Sequence, residues 1–209
     1  MFQVIWYILL ANIFLGISYT AKSPVASLLV GVTPLNSTLS TILGNLFFLS
    51  GIAIASKWGL HWNWRFMIVF TGVVVSVVNC TTTMITVWDV FRSQWFWLGP
   101  PIAVQLPYGV GWMIANFVII ELAQQGNEAA VYGLLTTTHN VASPFATALT
   151  LVIDAPFNLT NARIKTDDHD VRLDISYVVI IMYAMTFFSW VFLFLLPKQK
   201  AATQELVRT

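Results

Sequence analysis

Apolar residues in this chain come in runs too long for the core of a soluble domain. Six predominantly apolar windows stand out, at 2–21, 36–56, 64–88, 101–123, 129–153 and 174–196. A helix needs roughly 20 such residues to cross the hydrocarbon of a bilayer. The breaks between windows are polar: Lys22-Ser23-Pro24, Lys57-Trp58-Gly59-Leu60-His61, Asp89 to Pro100, Gln124 to Glu128, and the long stretch Asp154 to Leu173. Pro197 closes the last window, and Lys198 and Lys200 follow it. The pattern predicts an all-α polytopic membrane protein, with a six-helix transmembrane bundle over 1–197 and a polar cytoplasmic tail over 198–209. The apolar run Val4 to Tyr19 has no charged lead and no evident small-residue cleavage site, so it reads as a membrane helix rather than a signal peptide.

The six windows differ in polarity. The last, Tyr177 to Leu196, holds only Thr186 and Ser189 as interior hydroxyls, and the start of the third, Phe66 to Val78, is similarly apolar; such helices can face lipid all round. The second carries Ser37, Thr38, Ser40, Thr41, Gly44 and Asn45, and the fourth Gln105, Pro107, Gly109, Gly111 and Asn116. The fifth carries Thr136, Thr137, Thr138, His139 and Asn140 in succession. Polar groups in hydrocarbon are costly unless paired, so these helices are expected to face one another or a water-filled cavity.

Two readings compete for the polar residues. Small and hydroxylated residues let helices approach closely, and Ser40–Gly44, Gly51–Ala55, Gly111–Ala115 and Ala142–Ala146 all have that spacing. Larger groups with more hydrogen-bonding capacity than one neighbour satisfies point instead to a solute path: Gln105, Asn116, His139 and Asn140, with Thr136 and Thr137 behind them. His139 can relay a proton or donate a neutral N–H to a neighbouring helix. Pro107 and Pro144 each remove a backbone hydrogen bond inside a polar helix, which suits a bundle that rocks or gates.

Composition supports the membrane reading and excludes several others. Of 209 residues, 57% are hydrophobic and 9% charged, against about 25% charged in an average soluble domain; the mean hydropathy is +0.76. The net charge of +1 offers no basic stripe for nucleic acid. Cys80 is the only cysteine, so the chain can form no internal disulfide and holds no CxxC metal motif. No GxSxG, HExxH or glycine-rich phosphate loop is present, and no carboxylate pair lies at mid-membrane depth, which argues against an enzyme and against a bound cofactor.

An even number of spans puts both termini on one side. Lys57, Arg65, Lys198, Lys200 and Arg208 fall there, against Lys22, Arg92, Arg163, Lys165 and Arg172 on the other, so the positive-inside count is tied. The sequons at Asn36 and Asn158 both fall in odd-numbered loops, making them glycosylation candidates and the termini cytoplasmic. Trp58, Trp62 and Trp64 flank one loop and Trp88, Trp95 and Trp97 another, as headgroup anchors do. Between the fourth and fifth windows, Gly126-Asn127 is a turn dipeptide, Asn127 can cap the next helix, and Glu128 suits its positive end. Glu121, Gly126, Asn127 and Glu128 thus form a candidate cytoplasmic hinge.

The run from Glu121 to Ala146, ELAQQGNEAAVYGLLTTTHNVASPFA, resembles the signature of folate–biopterin-type transporters of the major facilitator superfamily, in the branch expanded in oomycetes. Leu35-Asn36-Ser37, Ile42 to Leu46, Trp58 to Arg65, Arg92 to Gly99 and Leu195 to Lys200 are similar to that branch as well. The resemblance implies twelve helices in two halves, this chain corresponding to the C-terminal half. It also implies a solute site near the midplane between the halves, worked by alternating access. On that reading the first, second, fourth and fifth helices line the path, the third and sixth are peripheral, and the partners are the bilayer, a small folate- or pterin-like solute and an N-terminal six-helix half or second six-helix unit. The membrane is the plasma membrane or that of an organelle. The alternative is a non-transporting scaffold or regulatory half-molecule that pairs with another six-helix unit.

Overall fold

The computed structural model describes residues 2–122 and 128–196, and every regular element among them is helical. The long helices are α1 (Phe2–Leu15), α2 (Pro34–Trp58), α3 (Trp64–Val87), α4 (Gln94–Ala103), α5 (Gln105–Leu122), α6 (Glu128–Asp154) and α7 (His169–Ser189). A 3₁₀ segment, Trp190–Leu195, extends α7. Short turns of helix at Lys22–Pro24, Val25–Leu29, Gly59–His61 and Asn161–Ile164 fill the connections. Starts are set by side-chain caps: Thr33 accepts from the Asn36 N–H ahead of α2, Asn63 from Phe66 ahead of α3, and Asp168 from Val171 ahead of α7.

Helices therefore stand at all six predicted places, but three boundaries move. The first was expected to run to residue 21 and ends at Leu15. Side-chain acceptors on α6 take the backbone amides beyond it: Ser18 N–H donates to Thr150 Oγ1 at 3.0 Å and Thr20 N–H to Asp154 Oδ2 at 2.7 Å. The fourth starts at Gln94 rather than 101 and breaks at Val104, between α4 and α5. Pro107 explains the break, because its ring collides with the carbonyl of Ala103 and it has no N–H to offer that carbonyl. The sixth begins at His169, where the Asp168 cap starts it, five residues before the predicted 174.

Among the described residues three helices are long and apolar enough to cross a membrane: Pro34–Trp58, Trp64–Val87 and His169–Leu195. Few of their side chains are buried, and large apolar groups stand exposed: Leu35, Leu46 and Leu49 on α2, Ile180 on α7, and Val191 and Phe194 on its 3₁₀ extension. Apolar surface on that scale needs an apolar surrounding. Of the others, α1 has 14 residues, about 21 Å at 1.5 Å each. At 27 residues α6 has the length and is held back by its polar residues.

Two cores hold the bundle, one at each end. At the end with the 59–63 turn, Val4, Tyr7 and Ala11 of α1 pack with Ala55, Trp64, Ile114, Phe117, Val131 and Leu135. At the other, Tyr19, Ala21 and Val25 pack with Val87, Ile164, Val171, Ile175 and Val178. The helices meet through small residues, as the spacing suggested. Where α2 crosses α5, a Cβ on Gly51 would strike the Leu106 carbonyl and one on Gly109 the Phe48 carbonyl, so the two backbones touch. Where α1 meets α6, a Cβ on Gly16 would come within 2.7 Å of the Ala146 methyl. Trp64 corrects the anchor reading: it is fully buried and donates Nε1–H to Gly59 O at 3.2 Å, whereas Trp58 and Trp95 are exposed.

Candidate functional site

Polar side chains in a helix can satisfy themselves, and here most hydroxyls do. Thr38 donates to Pro34 O, Thr41 to Ser37 O, Ser50 to Leu46 O, Thr137 to Gly133 O and Thr138 to Leu134 O, all at 2.8 or 2.9 Å. Asn116 does the same with its amide, donating to Trp112 O at 2.8 Å. A hydroxyl bonded back to the preceding turn loses most of its penalty in hydrocarbon. The second helix is therefore less polar than its sequence suggests, although Ser37 and Ser40 make no such bond and line the pocket described below.

What remains divides into two places. The first is the outer face of α6. Spacings of four, three and four residues put Thr136, Asn140, Ser143 and Thr147 on one face, all exposed. His139 stands beside them, exposed as well, while Val131, Leu135, Ala142, Ala146 and Thr150 turn inward against α1 and the core. Among the described residues neither His139 nor the Asn140 side chain nor Thr136 has a hydrogen-bond partner. Pro144 adds to this, since it lacks the N–H that would otherwise bond the Asn140 carbonyl.

The second place is a pocket of about 400 Å³ that runs from the end carrying Lys22, Ser37 and Trp97 down to mid-bundle at Val75, Tyr108 and Met182. Gln105 lines it, together with Asn79, which the sequence reading passed over. The six path candidates thus do not converge within this chain. Gln105 is in the pocket, Asn116 bonds its own helix, and Thr136, Thr137, His139 and Asn140 are on the exposed surface of α6. Of the hinge residues, Gly126 and Asn127 lie outside the described residues; Glu121 falls in the last turn of α5 and Glu128 opens α6. The tail 198–209 lies outside them too.

A charge clasp closes the pocket end of the bundle. Arg92 and Arg172 both hold Asp167: Arg92 Nη2 donates to Oδ1 at 2.9 Å, and Arg172 donates through Nε at 3.0 Å and Nη2 at 2.9 Å. Arg92 also caps α3, donating to the carbonyls of Thr86 at 2.8 Å and Val87 at 3.1 Å. Asp89 and Asp167 sit at φ 57° and 52°, left-handed backbone that Asp tolerates better than most side chains. The Arg92 hydrogen bond, with Arg172 assisting, holds the Asp167 carboxyl down at about 2, against partial burial that pushes the other way. The same pairing raises Arg92. Asp168 is lowered by the Val171 N–H it caps and by Thr166. Arg163 pairs with Asp174 in the same region. Of the two sequon residues, Asn158 is exposed in the 155–168 connection, while the Asn36 amide donates to Gln94 Oε1 at 2.7 Å from the first turn of α2.

Among the described residues no group of three or more His, Cys, Asp or Glu side chains could hold a metal ion. Comparison with known proteins gives no match: no family model, no curated protein and no solved structure is similar to the chain.

Proposed function

We propose that the chain is one six-helix half of a multi-pass solute carrier of major-facilitator type, with its termini on the cytoplasmic side. One observation carries the reading. The exposed face of α6 presents Thr136, His139, Asn140, Ser143 and Thr147 at the middle of a helix long enough to cross a bilayer. An amide left unpaired in hydrocarbon costs about 4–8 kcal/mol against water. That face is therefore turned toward water or toward another polar helix surface, as the wall of an aqueous path between two six-helix units is. Thr136, Thr137, His139 and Asn140 then line the path from α6. Pro144 supplies a flexible point beside them, and the turn from Glu121 through Gly126 and Asn127 to Glu128 serves as the cytoplasmic hinge. The similarity of the 121–146 run to folate–biopterin-type transporters favours a folate- or pterin-like solute.

Single cysteines at 140 and 143 on α6, and at Ile180 on the outer face of α7, test this in a Cys80→Ala background of the full-length protein in its membrane. A charged, water-soluble thiol reagent should label positions 140 and 143 at least about tenfold faster than 180. Equal rates at all three positions would remove the aqueous path. In vesicles, uptake of a labelled pterin should fall with Asn140→Ala and Gln105→Leu; unchanged uptake in both retires those residues.

A further inference from the structure

The pocket beside Lys22 is built from chemistry of one sign. It is lined by Lys22, the amides of Asn79 and Gln105, several hydroxyls, and the rings of Trp97, Tyr108 and Tyr183, with no Asp or Glu among its lining residues. Nearby polar groups are engaged: Asn36 holds Gln94, and Arg92 and Arg172 are consumed by Asp167. By contrast the Lys22 ammonium and the side-chain amides of Asn79 and Gln105 have no hydrogen-bond or ion-pair partner among the described residues. A cleft of about 400 Å³ that combines aromatic and apolar groups with hydroxyls, two amides and one ammonium is in the size range of small-molecule sites. Lys22 and Ser37 line its end near the loops, and Val75, Tyr108 and Met182 its inner end.

We propose that this pocket binds a small water-soluble organic monoanion of one or two aromatic rings. The charge sits against Lys22, and the polar edge meets Asn79 and Gln105. The ring lies among Trp97, Tyr108 and Tyr183. A single cation sets the charge of the ligand: a second negative group would be left uncompensated in a cleft with no other cation among its lining residues. The site lies among α2, α3, α4, α5 and α7, and not on the exposed face of α6. It stands independently of the carrier reading, because binding is measured without transport.

Benzoate serves as the probe, with the full chain in nanodiscs of neutral lipid and binding followed by equilibrium dialysis of the labelled compound. Saturable binding is expected. Lys22→Met should weaken it about tenfold, a loss of about 1.4 kcal/mol, and Lys22→Arg should restore most of it. Lys165→Met, an exposed cation outside the pocket, should change it less than twofold. Benzamide, which has the ring without the charge, should compete at least about tenfold less well than unlabelled benzoate. Inorganic phosphate, which has charge without a ring, should not compete at the same concentration. The proposal fails if no saturable binding occurs at millimolar probe, if Lys22→Met and Lys165→Met behave alike, or if benzamide or phosphate competes as well as benzoate. Thermal unfolding of each variant, unchanged from the parent, shows that a lost affinity is not a lost fold.

Discussion

Asp167 accepts more hydrogen bonds than any other carboxylate among the described residues, and removing its charge should loosen one whole end. Its two oxygens receive four donated hydrogen bonds from Arg92 and Arg172, which tie the α3–α4 turn to the segment that starts α7. The carboxyl is lowered from 3.8 to about 2, roughly two pH units, and at about 1.36 kcal/mol per unit that is about 2.5 kcal/mol. The side chain keeps 23% of its surface in contact with solvent, and screening there reduces the figure to about 1–2 kcal/mol. Because the folded carboxyl is more acidic than the unfolded one, this contribution is complete above about pH 4 and is lost as pH falls through about 2.

Asp167→Asn should lower the midpoint of thermal unfolding by about 2–8 °C at pH 7, at 2–4 °C per kcal/mol for a chain of this size. Tryptophan fluorescence in detergent micelles reports the transition. The deficit of the variant should shrink as pH is lowered from 5 to 2.5, because the parent protonates the same group. A variant as stable as the parent at pH 7, or one whose deficit is the same at both ends of that range, would refute the assignment of the clasp to ionised Asp167.

Three further outcomes follow from the packing. Gly51→Val or Gly109→Val pushes a branched side chain into a facing carbonyl where α2 crosses α5, and should cost at least about 1–3 kcal/mol; Gly99→Ala, with open space around it, should be neutral in the same unfolding assay. Thr150→Val leaves the Ser18 N–H without its 3.0 Å acceptor beside a buried site, and should destabilise by about 1–3 kcal/mol, while Thr150→Ser should recover most of that. In a eukaryotic host, a glycosidase-sensitive mass shift should disappear with Asn158→Gln and persist with Asn36→Gln, since Asn158 is exposed and the Asn36 amide is bound to Gln94; the reverse pattern would contradict the loop geometry.

The helices were legible because run length is the dominant signal in an apolar chain, and the caps at Thr33, Asn63 and Asp168 are visible as residue types. Their ends were less so. Leu15 terminates α1 through acceptors at Thr150 and Asp154, more than 130 residues away, and no local pattern encodes that. The break at Val104 was half legible: Pro107 announces a kink, but the extension of α4 back to Gln94 through Pro100 and Pro101 runs against the usual reading of adjacent prolines. Trp64 reads as an interfacial residue by its place near a loop, and only packing against Phe117 in the core reveals it as a structural one. At the candidate site, Gln105 lines the pocket, and its amide is conspicuous in an apolar window. Asn79 lies just past the apolar start of the third window, Phe66 to Val78, and its place in the pocket needs the facing helices to be seen.

Counting polar residues overstates the polarity of a membrane helix, and the two polar helices here show by how much. On α2 the hydroxyls of Thr38, Thr41 and Ser50 bond the preceding turn, so three polar residues present little unmet demand to their surroundings. On α6, Thr137, Thr138 and Thr147 behave the same way. An imidazole or an amide has more donors and acceptors than the preceding turn can occupy. At Asn140 the demand is greater still, because Pro144 leaves the backbone carbonyl of the same residue without its usual donor. His139, Asn140 and that carbonyl lie within one turn, on a face that the other described residues leave exposed. Whatever covers that face in the membrane has to bring hydrogen-bonding groups or water, and lipid tails bring neither.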